Sequence, residues 1–313
     1  MREHGSLQAN ASLETHEGRP TSPRSLRGRL PNFLVIGAMK SGTTSLFQYL
    51  RSHPAVFMSP LKEVDFFVEE RNLGKGLDWY RKQFDGAGPE ATAVGEASTS
   101  YTKYPEYRGV PQRIATWLPD ARLIYVVRDP IERIRSHYQH RALIGEEHAP
   151  FDVAVLRDPR YVDCSRFALQ IEQYLQHFSR ENLLVFTAEE LRFSRATAMR
   201  RVYRFLEVAD QHVPQTLNRE FYTTEEHAAY PPMAWWLRRM VKKHLPDGRR
   251  AKKLVDRIQP SLARLGLQKK GSTQRAPVVV SESVRDRLED LLRDDVGRLR
   301  AYMPDDFDGW GIA

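Results

Sequence analysis

Short, almost wholly apolar runs alternate along this chain with longer stretches in which apolar residues return every three or four positions. Leu34–Ile36, Ala93–Gly95, Arg122–Val127 and Asn182–Phe186 are the short runs. The fullest of them, Arg122-Leu-Ile-Tyr-Val-Val127, is made almost entirely of β-formers, so the set predicts buried strands. Thr44–Arg51, Gly76–Phe84, Pro105–Trp117, Ile131–Leu143, Ser165–Phe178 and Ala196–Phe205 carry the i, i+3, i+4 spacing of helices with a polar outer face. Strands buried on both faces and separated by helices predict an α/β fold, a P-loop-like three-layer sandwich whose central parallel sheet has about five strands flanked by helices. Further on, Ser281–Leu299 sets Val284, Leu288, Leu291, Leu292, Val296 and Leu299 on one stripe. That is an amphipathic helix closing the core, begun at a serine cap with Glu282 in its first turn.

Residues 1–30 are rich in Ser, Gly, Pro and Arg without periodicity and read as a disordered tail. The remainder, 31–313, reads as one domain in which 220–276 forms a basic region, lid-like or covering a ligand, and 281–300 the closing helix. Within that region Met233–Leu245 joins Trp235, Trp236, Leu237, Met240 and Val241 to four cations, the composition of either a core helix or an interfacial one.

Composition narrows the function. At 313 residues and 41% apolar the chain can bury a sizeable core. No run approaches the ~18 to 20 apolar residues of a membrane span, and the N-terminus lacks the apolar stretch of a secretory signal, so the expected location is cytoplasmic. A single cysteine, Cys164, rules out an internal disulfide and a cysteine-built metal cluster, in keeping with a reducing compartment. His137 and His140 stand three apart on one helix with no third ligand in pattern, so no metal is expected. The net charge of +8 is uneven: between Pro231 and Arg275 thirteen Lys/Arg face only Asp247 and Asp256. That segment fits nucleic acid, an anionic membrane, an acidic polymer or a phosphorylated cofactor, and charge alone does not choose.

The chemistry is concentrated in two places. Phe33-Leu-Val-Ile-Gly-Ala-Met-Lys-Ser-Gly-Thr-Thr-Ser-Leu46 runs from a strand into a glycine-bounded turn and a helix, the layout of a phosphate cradle at a helix N-terminus. A triphosphate-binding loop would place its lysine directly after the second glycine. Here Thr43 and Thr44 follow Gly42, and the lysine, Lys40, lies inside the loop, nearer a shorter terminal anionic group. The second constellation, Arg122–Ser136, is a strand ending at Arg128 and a helix capped by Asp129 with Pro130 in its first turn. Arg128 and Ser136 there suit one phosphate, the guanidinium gripping two oxygens and the hydroxyl adding a donor. Two anion sites at the carboxyl ends of parallel strands suit a nucleotide with phosphates at two positions.

With these residues in view the chain resembles the sulfotransferases that use 3′-phosphoadenosine 5′-phosphosulfate (PAPS), in pattern near the heparan-sulfate sulfotransferases and their soluble bacterial relatives. The resemblance runs from about Pro31 to Trp310. Ile36–Leu46 is similar to the family's 5′-phosphosulfate loop, which implies that Lys40, Ser41, Gly42, Thr43, Thr44 and Ser45 hold the donor. Leu123–Ser136 is similar to the 3′-phosphate motif and assigns Arg128 and Ser136 to that phosphate. Lys270-Gly271 resembles the C-terminal loop that folds over the cofactor. Lys62-Glu-Val-Asp-Phe-Phe67 resembles the segment in which a glutamate precedes two aromatics, which makes Glu63 the base that takes the acceptor's proton.

The apolar neighbours Val64, Phe66 and Phe67 predict a Glu63 pKa raised toward working pH. Asp65 stands where these glycan enzymes often have histidine, and Ala97 where they often have lysine. Asp65 and Glu96 are weaker candidates for acceptor contact, Glu96 also for a second base or a structural group. The implied reaction moves the sulfuryl group of PAPS in line to a hydroxyl, less readily an amine, with Lys40 neutralising the leaving phosphate and adenosine 3′,5′-bisphosphate (PAP) released without a metal. The implied partner is a hydroxyl-bearing acceptor (glycan, glycolipid or small natural product) and not a nucleic acid, with 231–275 as a peripheral contact to an anionic membrane or polymer. Two readings stand as alternatives: a P-loop kinase or nucleotide phosphotransferase, which wants a lysine at position 43, and a non-catalytic binder of nucleic acid or another anionic polymer.

Overall fold

The computed structural model describes residues 29–217 and 278–313. The tail at 1–28, the expected lid and the 231–275 basic stretch, together with Lys270 and Gly271, lie outside the described residues. Five strands, β1 (Phe33–Gly37), β2 (Val56–Met58), β3 (Ala93–Ala97), β4 (Arg122–Val127) and β5 (Leu183–Thr187), form one sheet in the order β2-β3-β1-β4-β5, parallel throughout. Every residue of β1 is buried, and its side chains alternate between two cores. Leu34 and Ile36 pack with Ile114 of helix α3 (Val110–Trp117) and Ile171 of α7 (Phe167–Leu175) on one side. Phe33 and Val35 pack with Leu46 of α1 (Thr43–Arg51) and Val202 of α9 (Arg195–Phe205) on the other. This is the expected three-layer α/β sandwich, with both faces of a parallel sheet covered.

A third core joins α4 (Pro130–Leu143), α5 (Phe151–Arg157), α6 (Arg160–Asp163) and α10 (Glu282–Leu299). The closing helix α10 is as expected, with Ser281 in the cap position, but the serine hydroxyl does not cap its first turn. Ser281 Oγ donates instead to Asp152 at 3.0 Å, which ties the start of α10 to α5. Lower on the same helix the buried Asp295 accepts from Ala168 N (3.0 Å) and Leu169 N (2.8 Å), so α10 caps α7 in trans. A cap of this kind contributes about 1 kcal/mol.

Other differences from the sequence pattern have local reasons. The helix expected over Pro105–Trp117 starts only at Val110, because Gly109 (φ 68°) breaks the backbone into the left-handed region. The helix expected over Ser165–Phe178 is trimmed to α7. Three-residue β2 is too short to show a period, and α5, α6 and α8 (Ala188–Phe193), with α2 reduced to Leu77–Arg81, are a turn or two long.

Because β1 is central, the chain leaves its carboxyl end for β2 and β3 on one side and returns to β4 and β5 on the other. In open α/β sheets ligands bind outside the carboxyl ends of the strands at such a switch point. Beneath it, Thr102 of the 3₁₀ turn Thr99–Thr102 donates to Ile36 O (3.0 Å) in the space next to Gly37. A Cβ at Gly37 would lie 2.0 Å from Thr102 Oγ1 and 2.9 Å from Tyr125 Cε2. Gly37→Ala is therefore expected to destabilise the protein by about 1–3 kcal/mol, seen as a lower urea midpoint at unchanged slope.

Candidate active site

Each strand's carboxyl end contributes to one site. After β1, the turn Ala38–Gly42 is tied to β4 by Ala38 N donating to Val126 O (2.8 Å). Lys40 (φ 72°) and Gly42 (φ 82°) both take left-handed backbone, which turns the chain tightly into α1. No side chain caps α1, so the N–H groups of its first turn point from an uncapped positive dipole end. Ser41 is wholly buried and its hydroxyl has no hydrogen-bond partner. Thr43 and Ser45 are buried and Thr44 half-buried. A buried hydroxyl, a lysine and an uncapped helix end are the donor set for a terminal phosphate-like group.

Lys40 lies among cations. Burial, then the charges of Arg128, Arg133 and Lys62, push its pKa down to about 8. Arg128, half-buried after β4, donates from Nη1 to Lys40 O (3.1 Å) and holds Nη2 3.6 Å from Glu132. It therefore braces the Lys40 turn as well as carrying charge. Asp129 caps α4 as expected, accepting from Ile131 N (2.8 Å) and Glu132 N (3.1 Å). Ser136 is half-buried on α4, about two turns beyond Arg128.

Arg133 was not marked out by the sequence reasoning. It is wholly buried, donating to Ser165 Oγ (2.6 Å) and Tyr161 O (2.7 Å), while Nη1 has no partner. Its bonded partners are neutral, and burial, the first cause, drives its pKa down. An uncompensated buried charge costs several kcal/mol; here it adds to the positive field at Lys40. The available signal was an arginine on the stripe of α4 that also holds Ile134 and His137, both buried.

Glu63 follows β2 in left-handed backbone (φ 61°), its N–H donating to Ala97 O at 2.8 Å. Its Oε2 accepts from Thr99 N (2.8 Å) and Thr99 Oγ1 (3.1 Å), and Oε1 is paired with Lys62. Burial by itself raises the pKa, but the charge and hydrogen bond of Lys62 and the two bonds from Thr99 outweigh it, so Glu63 titrates below the usual glutamate range. This corrects the raised pKa expected from Val64, Phe66 and Phe67: those side chains turn into the core, while the carboxylate, 31% exposed, meets donors instead.

Asp65 (φ 51°) is buried and paired with Arg71; burial and the Glu63 charge raise its pKa against that pairing. Glu63 and Asp65, both left-handed without being glycine, each cost roughly 1–2 kcal/mol and are held only by their surroundings. Glu96, at the end of β3, is sealed at 0% exposure, accepting from Ser98 Oγ (2.5 Å), Tyr101 OH (2.6 Å) and Tyr80 OH (3.2 Å). Burial lifts its pKa to about 7. Three hydroxyls thus enclose Glu96, while Asp65 pairs through Oδ2 with Arg71 and leaves its buried Oδ1 without a hydrogen-bond partner.

After β5, Glu189 accepts from Asp129 N at 3.2 Å, a further support of the β4–α4 turn. Among the described residues no group of three His, Cys, Asp or Glu comes together to hold a metal ion, and no helix is long and apolar enough to cross a membrane. Two surface clefts, of about 510 Å³ beside Arg141 and Arg157 and about 250 Å³ beside Lys103 and Cys164, are lined by none of the strand-end residues above.

The sequence profile of the sulfotransferase domain matches residues 30–229. Among curated proteins the chain is similar to bifunctional heparan sulfate N-deacetylase/N-sulfotransferase 4 of Mus musculus, 33% identical over 204 residues covering 58% of this chain and 23% of that protein. It is also similar to the membrane-associated sulfotransferase kil1 of Dictyostelium discoideum, 40% identical over 111 residues covering 35% of this chain and 22% of that protein. The matching segments thus span less than a quarter of these relatives. Among solved structures, a sulfotransferase from Alicyclobacillus acidocaldarius superposes with a TM-score of 0.63 at 26% identity, covering 90% of this chain and 99% of that one.

Proposed function

The chain belongs to the sulfotransferase family, and from that premise we propose that it moves a sulfuryl group from PAPS to an acceptor hydroxyl, with Glu63 as the base. The observation that carries the reading is the meeting of a cation cluster and a donor-held carboxylate beyond the carboxyl ends of the strands. Lys62 joins them, since it pairs with Glu63 and its charge reaches Lys40. When bound, PAPS supplies an activated sulfuryl group on a phosphate leaving group. Lys40, the Ser41 hydroxyl and the N–H groups of Gly42–Ser45 would hold its 5′ end, and Arg128 with Ser136 its 3′-phosphate. The buried, partnerless Ser41 hydroxyl fits such an anion.

In this reading Lys40, the Arg133 field and the end of α1 neutralise charge that grows on the leaving phosphate. These groups are set before the reaction begins, so little reorganisation is needed. Glu63 is ionised at neutral pH because its pKa is low, and its donors fix both oxygens for an acceptor proton arriving in line. The names of the relatives support a glycan acceptor, and the N-sulfotransferase among them favours a second reading in which a sugar amine is sulfated. Product analysis with desulfated and de-N-acetylated oligosaccharides separates the two.

Calorimetry with PAP and with ATP/Mg²⁺ tests the donor. PAP is expected to bind; ATP/Mg²⁺ binding with none of PAP would overturn the proposal in favour of a kinase. The pH dependence adds a sign. Lys40 is partly neutral above its pKa of about 8, and a bound anion raises that pKa, so PAP binding there takes up protons. At about pH 6 the free lysine is already charged and this uptake vanishes. Titrations in buffers of different ionisation enthalpy read the difference.

A further inference from the structure

The geometry points to Glu96 as a positioning residue for Glu63, acting through the hydroxyls of Ser98 and Tyr101 on the backbone that carries the base. The inference rests on the proposed role of Glu63. Glu96 is buried at the end of β3 with three hydroxyl donors aimed at it and no cation among its hydrogen-bond partners. Its ionised form accepts only, so each hydroxyl must spend its proton on it. Ser98 and Tyr101 are thereby left with lone pairs facing outward. The turn after Glu63 uses those lone pairs: Asp65 N donates to Ser98 Oγ at 2.9 Å, and Phe66 N to Tyr101 OH at 3.0 Å. The carboxylate thus fixes the direction of two hydroxyls, and the hydroxyls fix the amides just beyond the base.

The turn needs such a hold. Glu63 and Asp65 both lie in the left-handed region, where neither side chain rests comfortably. The outer side is latched independently: Asn72 Nδ2 donates to Val64 O (2.7 Å) and Arg113 Nε to Phe67 O (2.8 Å). On the inner side the amides of Asp65 and Phe66 have only the Glu96 relay. The other ionisable groups at Glu96 are Tyr80 and Tyr101, with Asp65 close enough to affect its charge. Above its pKa of about 7 the ionised, accepting form prevails. A glutamine in its place presents a donor to a hydroxyl that must itself donate, which reverses part of the relay while keeping the shape.

The test compares Glu96→Gln and Tyr101→Phe with wild type, one pH unit above the Glu96 pKa, using sulfur-radiolabelled PAPS with water and a desulfated heparan oligosaccharide as acceptors. Both variants should lose about 10- to 100-fold in kcat, with KM for PAPS and the affinity for PAP within about twofold of wild type. Hydrogen exchange should show faster exchange at Asp65 in Glu96→Gln and at Phe66 in Tyr101→Phe. Unchanged protection at these amides overturns the relay. Lost protection with wild-type kcat overturns its relevance to turnover. If Glu96→Gln does not fold, Tyr101→Phe, which keeps the ring and removes only the hydroxyl, decides by the same readouts. Glu63→Gln run beside them separates the two ideas: its retained turnover removes the base, whereas the exchange data judge the relay without reference to the base.

Discussion

Glu63→Gln is expected to bind PAP as the wild type does and to lose about 10²–10⁴ in turnover, the usual range for removal of a positioned base. The split follows from where the side chain is held. Its oxygens are engaged by Thr99 and Lys62, not by the Lys40 turn, so an isosteric amide leaves the donor site intact while it removes the proton acceptor. Glutamine can still accept from Thr99, which keeps the left-handed turn in place. Calorimetry with PAP together with label transfer from PAPS gives the two readouts. Turnover within a few-fold of wild type would remove Glu63 as the base.

Lys40→Ala should fail in the other way, weakening PAP about tenfold and lowering kcat by about 10²–10³, the loss typical of one preorganised charge at a leaving group. The substitution also places alanine in left-handed backbone, at a position already strained for any side chain but glycine (φ 72°). A Lys40→Gly companion relieves that strain, so a deficit shared by both variants reports the ammonium alone. In both, Arg128 retains its contact, since that bond goes to the backbone oxygen of residue 40. If either variant binds PAP with wild-type affinity and the same proton uptake, Lys40 is not the group that meets the anion.

Much of the frame was legible because it rests on local periodicity. Four of five strands, the helix after Gly42, the Asp129 cap with Pro130, and the closing helix are each readable from a window of a few residues, since burial of one face imposes its own spacing. Gly42 and the displaced Lys40 were visible as a turn with unusual chemistry for the same reason. The expectations that did not hold depend on distant residues. Glu63 looked apolar from its neighbours in the chain, yet successive side chains diverge in a turn, and its partner Thr99 comes from the 3₁₀ turn after β3. At its strand end Glu96 left acceptor contact, second base and structural group all open; its enclosure is set by Tyr80 and Tyr101 folding over it.

What the sequence determined by itself was therefore the layered α/β architecture and the place of the glycine-bounded turn between β1 and α1, because strand burial, helix amphipathicity and turn residues are properties of contiguous chain. The tertiary structure decided the electrostatics: that Lys40 is pressed to about 8 by burial and by Arg128, Arg133 and Lys62, that Glu63 titrates low, and that Glu96 is enclosed by donors. Charge interactions act through space and depend on burial, so their sign is settled only when strands far apart in sequence are brought side by side.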